Sequence, residues 1–505
     1  MSVDLERENF HVNVVRVRDL EDFLSAQTYR PEITTAYQVV LNKSHKLLDD
    51  LCSEKISQGS TPIYAENGPL CLKSKDVDEL LTGSNINTYV DINWALSNSK
   101  NKISFETLLL TRQGVGTIGR CAIYFGDSAY TNDSIFKIVV TKADSAYVTT
   151  FLNTDIGKRL IEKGVYGSTG QLNLSVSHVK KLPIFLPNSV VQKYIGDKVR
   201  QAELLREWAK SLEKDFSEIL ISFCSDAFKY VPSGKKHSLA PLYEISHTLN
   251  PGAFNEKRLF IRKKLRELDA KILKDVVDIY SPTTNEYTEN TPYIGLDAIN
   301  SNSCEITSST VKASGVVGTA RVLYEGVVIS KLRPYLNKVS YIPKVFEGAV
   351  GSTELLCLKA KNNSISNWYL YGVLKSDLVL NQLEPLSTGS THPRIDRYDI
   401  YDLIIPILPN NHELGDNLQK AQNGYLYSQK LLKMSTSLVE SVIDGIISEE
   451  ELIQAQNALE QGDTSLDRAI LSLMTEEGYA VASSKPLFSD LDEFYDLLEQ
   501  AKALE

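Results

Sequence analysis

The chain has 505 residues, too many for one core, and the usual ~100 to 200 residues per domain predict about three folding units. Its 42% hydrophobic and 23% charged residues exclude a largely disordered protein. The net charge of −10 speaks at first against nucleic acid, but Ser448 to Glu505 hold 14 acidic and 3 basic side chains, so residues 1–447 sum to +1 and are free to carry basic patches.

The six cysteines, Cys52, Cys71, Cys121, Cys224, Cys304 and Cys357, lie too far apart for a CxxC metal or redox pair and read as reduced, mostly buried thiols. The start, MSVDLERENF, is charged where a signal peptide is apolar, and no run approaches the roughly 18 apolar residues of a membrane span. A cytoplasmic location away from membranes is expected.

In chain order, "TAYQVVLNKSHKLLDDL" (Thr35 to Leu51) predicts a helix, and "TLLLT", "CAIYF" and "SIFKIVV" predict short strands. "GSTGQLNLSVSHVKKLPIFLP" (Gly167 to Pro187) follows, with Ser175 as a candidate N-cap and an edge strand closed by Pro183 and Pro187. Ile195, Ala202, Leu205, Ala209, Leu212, Phe216, Ile219 and Phe223 then make an apolar seam, predicting a helix from about Val190 to Phe228. Such a helix is on the order of 55 to 60 Å long, or at most about 17 base pairs.

The order then repeats. "NEKRLFIRKKLRELDAKIL" (Asn255 to Leu273) predicts a basic amphipathic helix, "VVISKL", "KVSYI" and "ELLCLKA" predict strands, and "GSTHPRIDRYDIYDLIIPILP" (Gly389 to Pro409) stands 222 positions after the first GST block. Asp396 is its candidate N-cap, and Pro406 and Pro409 close its strand. Leu414, Ala421, Leu431, Leu438 and Val442 form a second seam, interrupted by Gly424, Ser428 and Ser435. Four matches keep one order in both halves: Ile56–Val77 with Ile279–Ile299, Glu106–Phe125 with Glu325–Pro343, "TNDSIFKIVV" with "VGSTELLCLKA", and the two GST blocks. After them comes an acidic tail with Leu487, Leu491, Phe494 and Leu498 on one helical face, either packed on its own protein or docking a partner.

Catalytic motifs are missing from the sequence: no GxxxxGK[ST], no [DNS]PP[YFW], no HExxH. "GVGTIG" (Gly114 to Gly119) spells GxGxxG, but the strand-like "RCAIYF" follows where a dinucleotide site needs a helix.

These motifs, namely "GPLCLKSKDV", "LLLTRQGVGTIGRCAIY", "VVISKLRPYLNKVSYI", both GST blocks and "LVESVIDGII", resemble the specificity subunits of type I restriction-modification systems over roughly residues 50 to 450. The resemblance implies an α/β fold with two pseudo-repeated β-rich target recognition domains separated by two long antiparallel coiled-coil helices. The corresponding division is 1–188 for the first domain with its N-terminal arm, 189–229 for the first spacer, 230–410 for the second domain, 411–460 for the second spacer and 461–505 for the acidic tail. It implies a non-catalytic reader of double-stranded DNA, recognising a bipartite, gapped, asymmetric site. Methyltransferase subunits would dock on the spacer helices, and a translocating restriction nuclease is a further partner. The chain itself would bind no cofactor and no metal, S-adenosylmethionine belonging to the partner adenine methyltransferase. The acidic tail and the long N-terminal segment depart from the family pattern.

Candidate DNA contacts follow. Arg112 and Arg120 bracket a glycine turn and suit guanine O6 and N7, or else sit on a solvated edge. Lys331 and Arg333 are the matching pair, with Lys338 for a phosphate. Lys73 and Lys75 alternate along a strand-like stretch. Ser168, Thr169, Ser390 and Thr391 would donate to phosphates or cap their own turns, and His392, Arg394 and Arg397 lie just beyond. The Asn255–Leu268 run reads as a solvated helix or as a phosphate-positioning one. Two rivals stay open: an interaction scaffold that reads no sequence, and a DNA-mimic inhibitor acting through the tail.

Overall fold

The structure, a computed structural model, describes residues 17, 20, 26–83, 86–167, 172–234, 239–245, 247–482 and 484–503. The chain divides into two compact units, Met1–Leu204 with Ser428–Leu498, and Leu205–Tyr427 with Glu499–Glu505. Both mix small sheets with helices, and the long helices Ser189–Phe223 and Asn411–Asp444 each contribute to both units.

In the first unit the main sheet runs Ser57–Gln58, Ile135–Ile138, Thr107–Thr111, Cys121–Tyr124, Leu80–Leu81, antiparallel except for the last pair. In the second it runs Val277–Tyr280, Leu355–Ala360, Gly326–Ser330, Val339–Ile342, antiparallel throughout. Strand alternation explains the uninterrupted apolar runs, because both faces are covered. Val327, Ile329, Leu356 and Leu358 enter the core shared with the helices, whereas Val328, Leu355 and Cys357 enter a separate cluster on the other face. A second sheet accompanies each, Tyr89–Val90, Tyr64–Leu72, Ala129–Thr131, Lys102–Ile103 in the first unit.

All six expected strands form, and the repeat is written in helix starts as well. Helices open at Ser145 and Asn367, at Asp155 and Asp377, and at Ser189 and Asn411, always 222 positions apart. Side chains start the first of these pairs alike: Asp144 accepts from Tyr147 N, and Ser366 from Tyr369 N.

The end of each GST block is the expected joint. Pro183–Phe185 pairs with His45–Leu47, and Ile404–Ile405 with Lys271–Ile272, in two-stranded sheets that lead into the long helices. Those partner strands correct two helix expectations. The first helix covers Pro31–Leu41 and the second Glu256–Glu267; beyond them the chain turns to supply an edge partner to the proline-closed strand, with Asp269 in the left-handed region at φ 54°. Asp396 caps its helical turn by accepting from Tyr398 N, whereas Ser175 holds the N-cap position with its hydroxyl on Ser177.

Within the second unit the long helices run antiparallel: Gly424 faces Leu205 and Ala209, while Leu418 and Phe216 meet over Gly372. The first seam is buried from Ile195 to Phe216, except that Leu212 is half-buried, and then shifts, with Leu220 and Cys224 buried and Ile219 and Phe223 exposed. A straight helix drifts against a strict heptad, so i+4 steps replace the seam at its end. The Asn255–Leu268 run is amphipathic, with Lys257, Lys263 and Glu267 exposed and two of its arginines turned inward. Arg258 and Arg262 are buried against Asp402 and Glu244, with Arg262 Nε to Glu244 at 2.7 Å.

The acidic segment folds as helices Glu449–Glu460, Ser465–Leu473 and Leu491–Lys502. Within the first unit Leu487, Phe494 and Leu498 are buried, and a buried ion pair joins Lys198 to Asp467 at 2.7 Å.

Candidate nucleic-acid interface

In the first unit, residues 112–120 join the antiparallel strands Thr107–Thr111 and Cys121–Tyr124, closed by Thr111 N donating to the Arg120 carbonyl at 2.9 Å. Gly114 sits at φ 135°, where a Cβ would lie 2.2 Å from Thr117 Oγ1, so the turn requires glycine there. The next residue, Val115, is the exposed tip. The loop is tied to its own GST block: Leu174 N donates to the Arg112 carbonyl at 2.8 Å, and the Arg112 guanidinium reaches Asn173 Oδ1 at 3.4 Å and the Asp133 carbonyl at 3.3 Å.

Lys73 and Lys75 are brought beside this loop, though not by strand alternation. The strand ends at Leu72, and Ser74–Asp76 form a 3-10 turn whose Ser74 hydroxyl donates to the Gln113 carbonyl at 3.3 Å. Lys75 projects with its side chain 63% exposed, and Lys73 lies over the Tyr64 ring at 4.1 Å. Arg120 meets Asp78 at 3.4 Å. The Ser74–Gln113 and Arg120–Asp78 contacts therefore bring together the segments that carry Lys73, Lys75, Arg112 and Arg120.

The second unit repeats the assembly. Residues 331–338 join strands Gly326–Ser330 and Val339–Ile342, with Ser330 N donating to the Lys338 carbonyl at 2.9 Å. Arg333 N donates to the Pro393 carbonyl at 2.7 Å and Ile395 N to the Lys331 carbonyl at 3.0 Å, binding this loop to the second GST block. Lys331, Arg394 and Arg397, with the buried Arg321, line an open cleft of about 520 Å³ that also holds Asp396. Thr391 and His392 are exposed beside it. Arg394 pairs with Glu354 at 2.8 Å, and Arg397 lies over the Tyr401 ring while donating to its hydroxyl at 3.1 Å.

Two of these residues differ sharply in availability. Lys338 donates its ammonium to the Ile299 carbonyl at 2.5 Å, and burial pushes its pKa down, so its ammonium is engaged within its own fold. Arg333 stands in the left-handed region at φ 49°, and its Nε has no hydrogen-bond partner among the described residues. A strained non-glycine residue with an unpaired buried donor marks a position kept for something other than stability.

Ser168 and Thr169 lie outside the described residues. Sequence reasoning passed over Arg321, whose guanidinium donates to the Leu355 carbonyl at 2.8 Å and the Thr353 carbonyl at 2.8 Å, and so builds the cleft floor. It lies in a strand with nothing in its neighbours to distinguish it. Among the described residues no group of three side chains is placed to hold a metal ion, and no helix is long and apolar enough to cross a membrane.

No protein-family model and no curated protein matches the chain. Among solved structures it is similar to a type I restriction-modification S subunit from M. genitalium, at 15% identity over 82% of this chain and 95% of that one, with a TM-score of 0.37. It is similar also to the HsdS subunit from Thermoanaerobacter tengcongensis, at 12% identity over 80% and 97% of the chains and a TM-score of 0.27. A third similar chain comes from a study of complex assembly and conformational transition of the type I R-M system, at 12% identity, 82% and 97% coverage and a TM-score of 0.24.

Proposed function

We propose that this chain is the non-catalytic DNA specificity subunit of a type I restriction-modification system. One observation carries the reading. Each unit holds a cation-bearing hairpin loop, hydrogen-bonded to a GST block that leads through a proline-closed strand into a long helix. The same apparatus built twice suits a site read in two pieces, and the differing residues of the two loops suit an asymmetric one.

In this mechanism Lys73, Lys75, Arg112 and Arg120 serve one half-site, and Lys331, Arg333, Thr391, His392, Arg394 and Arg397 the other. Each unit positions itself through phosphates, and an arginine reads guanine O6 and N7 in the major groove, worth ~1 to 3 kcal/mol of discrimination. The long helices set the gap and dock methyltransferase subunits. Those subunits supply S-adenosylmethionine and transfer the methyl group to adenine, and a restriction nuclease joins the same assembly. This chain contributes binding and aim only.

The test is sequencing of methylated bases in the native genome with and without the gene. Loss of one gapped, asymmetric motif supports the reading. A methylome that keeps every motif sinks the modification role and favours a scaffold that reads no sequence.

A further inference from the structure

The two hairpin loops share a second device that does not belong to their exposed surface. In the first unit the helix Ser145–Asn153 ends on Asn153, whose Nδ2 donates to the Cys121 carbonyl at 2.8 Å. Cys121 is the first residue of the strand that follows the Arg112–Arg120 loop. In the second unit the helix Asn367–Lys375 ends on Lys375, whose Nζ donates to the Val339 carbonyl at 2.8 Å. Val339 is the first residue of the strand that follows the Lys331–Lys338 loop. Positions 153 and 375 keep the same separation, 222, as the GST blocks.

Sheet topology gives the reason for a side-chain donor there. Val339–Ile342 is an edge strand, so the carbonyls that face away from Gly326–Ser330 have no ladder partner, and an unpaired buried carbonyl is costly. Lys375 satisfies the first of them and the Gln422 amide satisfies the Tyr341 carbonyl at 2.8 Å. Lys375 holds more than the strand. Its Nζ also donates to the Asn300 carbonyl, and its own carbonyl accepts from Asn337 Nδ2 at 2.7 Å, where Asn337 is the left-handed residue at the end of the loop.

This clamp reaches the long helices. Glu213 is half-buried and accepts from Cys304 N at 2.7 Å, from the Tyr425 hydroxyl at 2.9 Å and from the Tyr371 hydroxyl at 3.3 Å, and Gln422 donates to the Cys304 carbonyl at 3.1 Å. Glu213 belongs to the first long helix and Gln422 and Tyr425 to the second. Tyr371 lies one helical turn before Lys375.

We infer that Asn153 and Lys375 are positioning residues that fix the aim of the two loops, Lys375 doing so by joining its loop to the buried polar contacts of both long helices. The inference rests on the proposed reading of those loops as DNA contacts. It differs from general packing in being local: each residue governs one loop and leaves the other alone.

The full-length chain is compared with Lys375→Met, which keeps the stem and removes the donor, with Lys375→Gln, which keeps a donor, and with Asn153→Leu. Amide hydrogen exchange is followed in residues 112–121 and 331–339, and binding is measured to DNA carrying the gapped methylation motif with single substitutions in each half. Lys375→Met is expected to speed exchange about tenfold in 331–339 alone and to cut discrimination about tenfold in one half-site alone. Asn153→Leu is expected to do the same for 112–121 and the other half, and Lys375→Gln to retain most of the wild-type behaviour. Equal changes in both loops, unchanged exchange, or a Lys375→Gln variant indistinguishable from Lys375→Met would overturn the inference. Exchange that responds as expected in a chain that discriminates no sequence would leave the clamp standing and remove the specificity reading.

Discussion

Arg333 and Lys375 show how differently two basic residues of one unit are used. Arg333 holds φ 49°, a conformation that costs a non-glycine residue about 1 to 2 kcal/mol. Arg333→Gly is therefore expected to unfold at the same temperature as wild type or a few degrees higher, while its DNA affinity falls and the salt slope of binding drops by about 1 if the guanidinium meets a phosphate. Calorimetry beside a salt titration checks both, and a variant that loses stability with its binding would make Arg333 structural. Lys375 is instead half-buried. Burial pushes its ammonium down to about 7, opposed by the Glu213 carboxylate and the Cys304 thiol and reinforced by Lys338. Between pH 7 and its ordinary value of 10.5 the unfolded chain holds a proton that the folded chain has lost, so stability from this group rises with pH there and is flat below about 7. Wild type is accordingly expected to gain thermal stability relative to Lys375→Met as pH goes from 7 to 9. Parallel melting curves at all pH values would contradict this.

The elements most legible in the sequence are those with a strong period or a hard stop. Six short strands, both proline-closed joints and both long helices follow from alternation, β-branching and proline, because each depends on residues within a few positions. Failures came where a distant partner decides. "TAYQVVLNKSHKLLDDL" carries helical periodicity throughout, yet His45–Leu47 becomes a strand because Pro183–Phe185, over 130 positions away, needs an edge partner. Gly424, Ser428 and Ser435 looked like defects in the second seam and are instead buried positions. At Gly424 a Cβ would stand 3.2 Å from the Leu205 carbonyl and 3.4 Å from Ala209 Cβ, so the absence of a side chain lets the two helices approach. Gly424→Leu should consequently destabilise the chain by about 1 to 3 kcal/mol through overpacking, read as a lower urea midpoint. A midpoint equal to wild type would mean that the helices have room to spare.

At the scale of the whole chain, duplication was legible and the seating of the tail was not. Repeated motifs in register disclose themselves by comparison of the sequence with itself, whereas Lys198 and Asp467 are 269 positions apart and sit in unremarkable amphipathic stretches. In the first unit Lys198 Nζ donates to both oxygens of Asp467 at 2.7 and 2.8 Å, and the hydroxyls of Tyr194 and Tyr495 donate to the same carboxylate at 2.5 Å. Burial alone pushes the Asp467 carboxyl up, but Lys198 and the two hydroxyls together outweigh it and hold the group below its ordinary value of 3.8. The stability this gives is present above that value and lost only as pH falls through the lower folded one, so near neutrality the latch stays closed. Removing one partner leaves a buried charge uncompensated. Lys198→Met is expected to cost about 3 to 5 kcal/mol and to open the acidic helices to limited proteolysis between Ser448 and Lys502. Adding Asp467→Leu removes the stranded charge but leaves the two tyrosine hydroxyls without their acceptor at ~1 to 3 kcal/mol each, so it is expected to recover at most a minor part of that loss. If Lys198→Met alone falls within about 1 kcal/mol of wild type, in the range of an exposed pair, the ion pair does not fasten the tail and its apolar face through Leu487, Phe494 and Leu498 does.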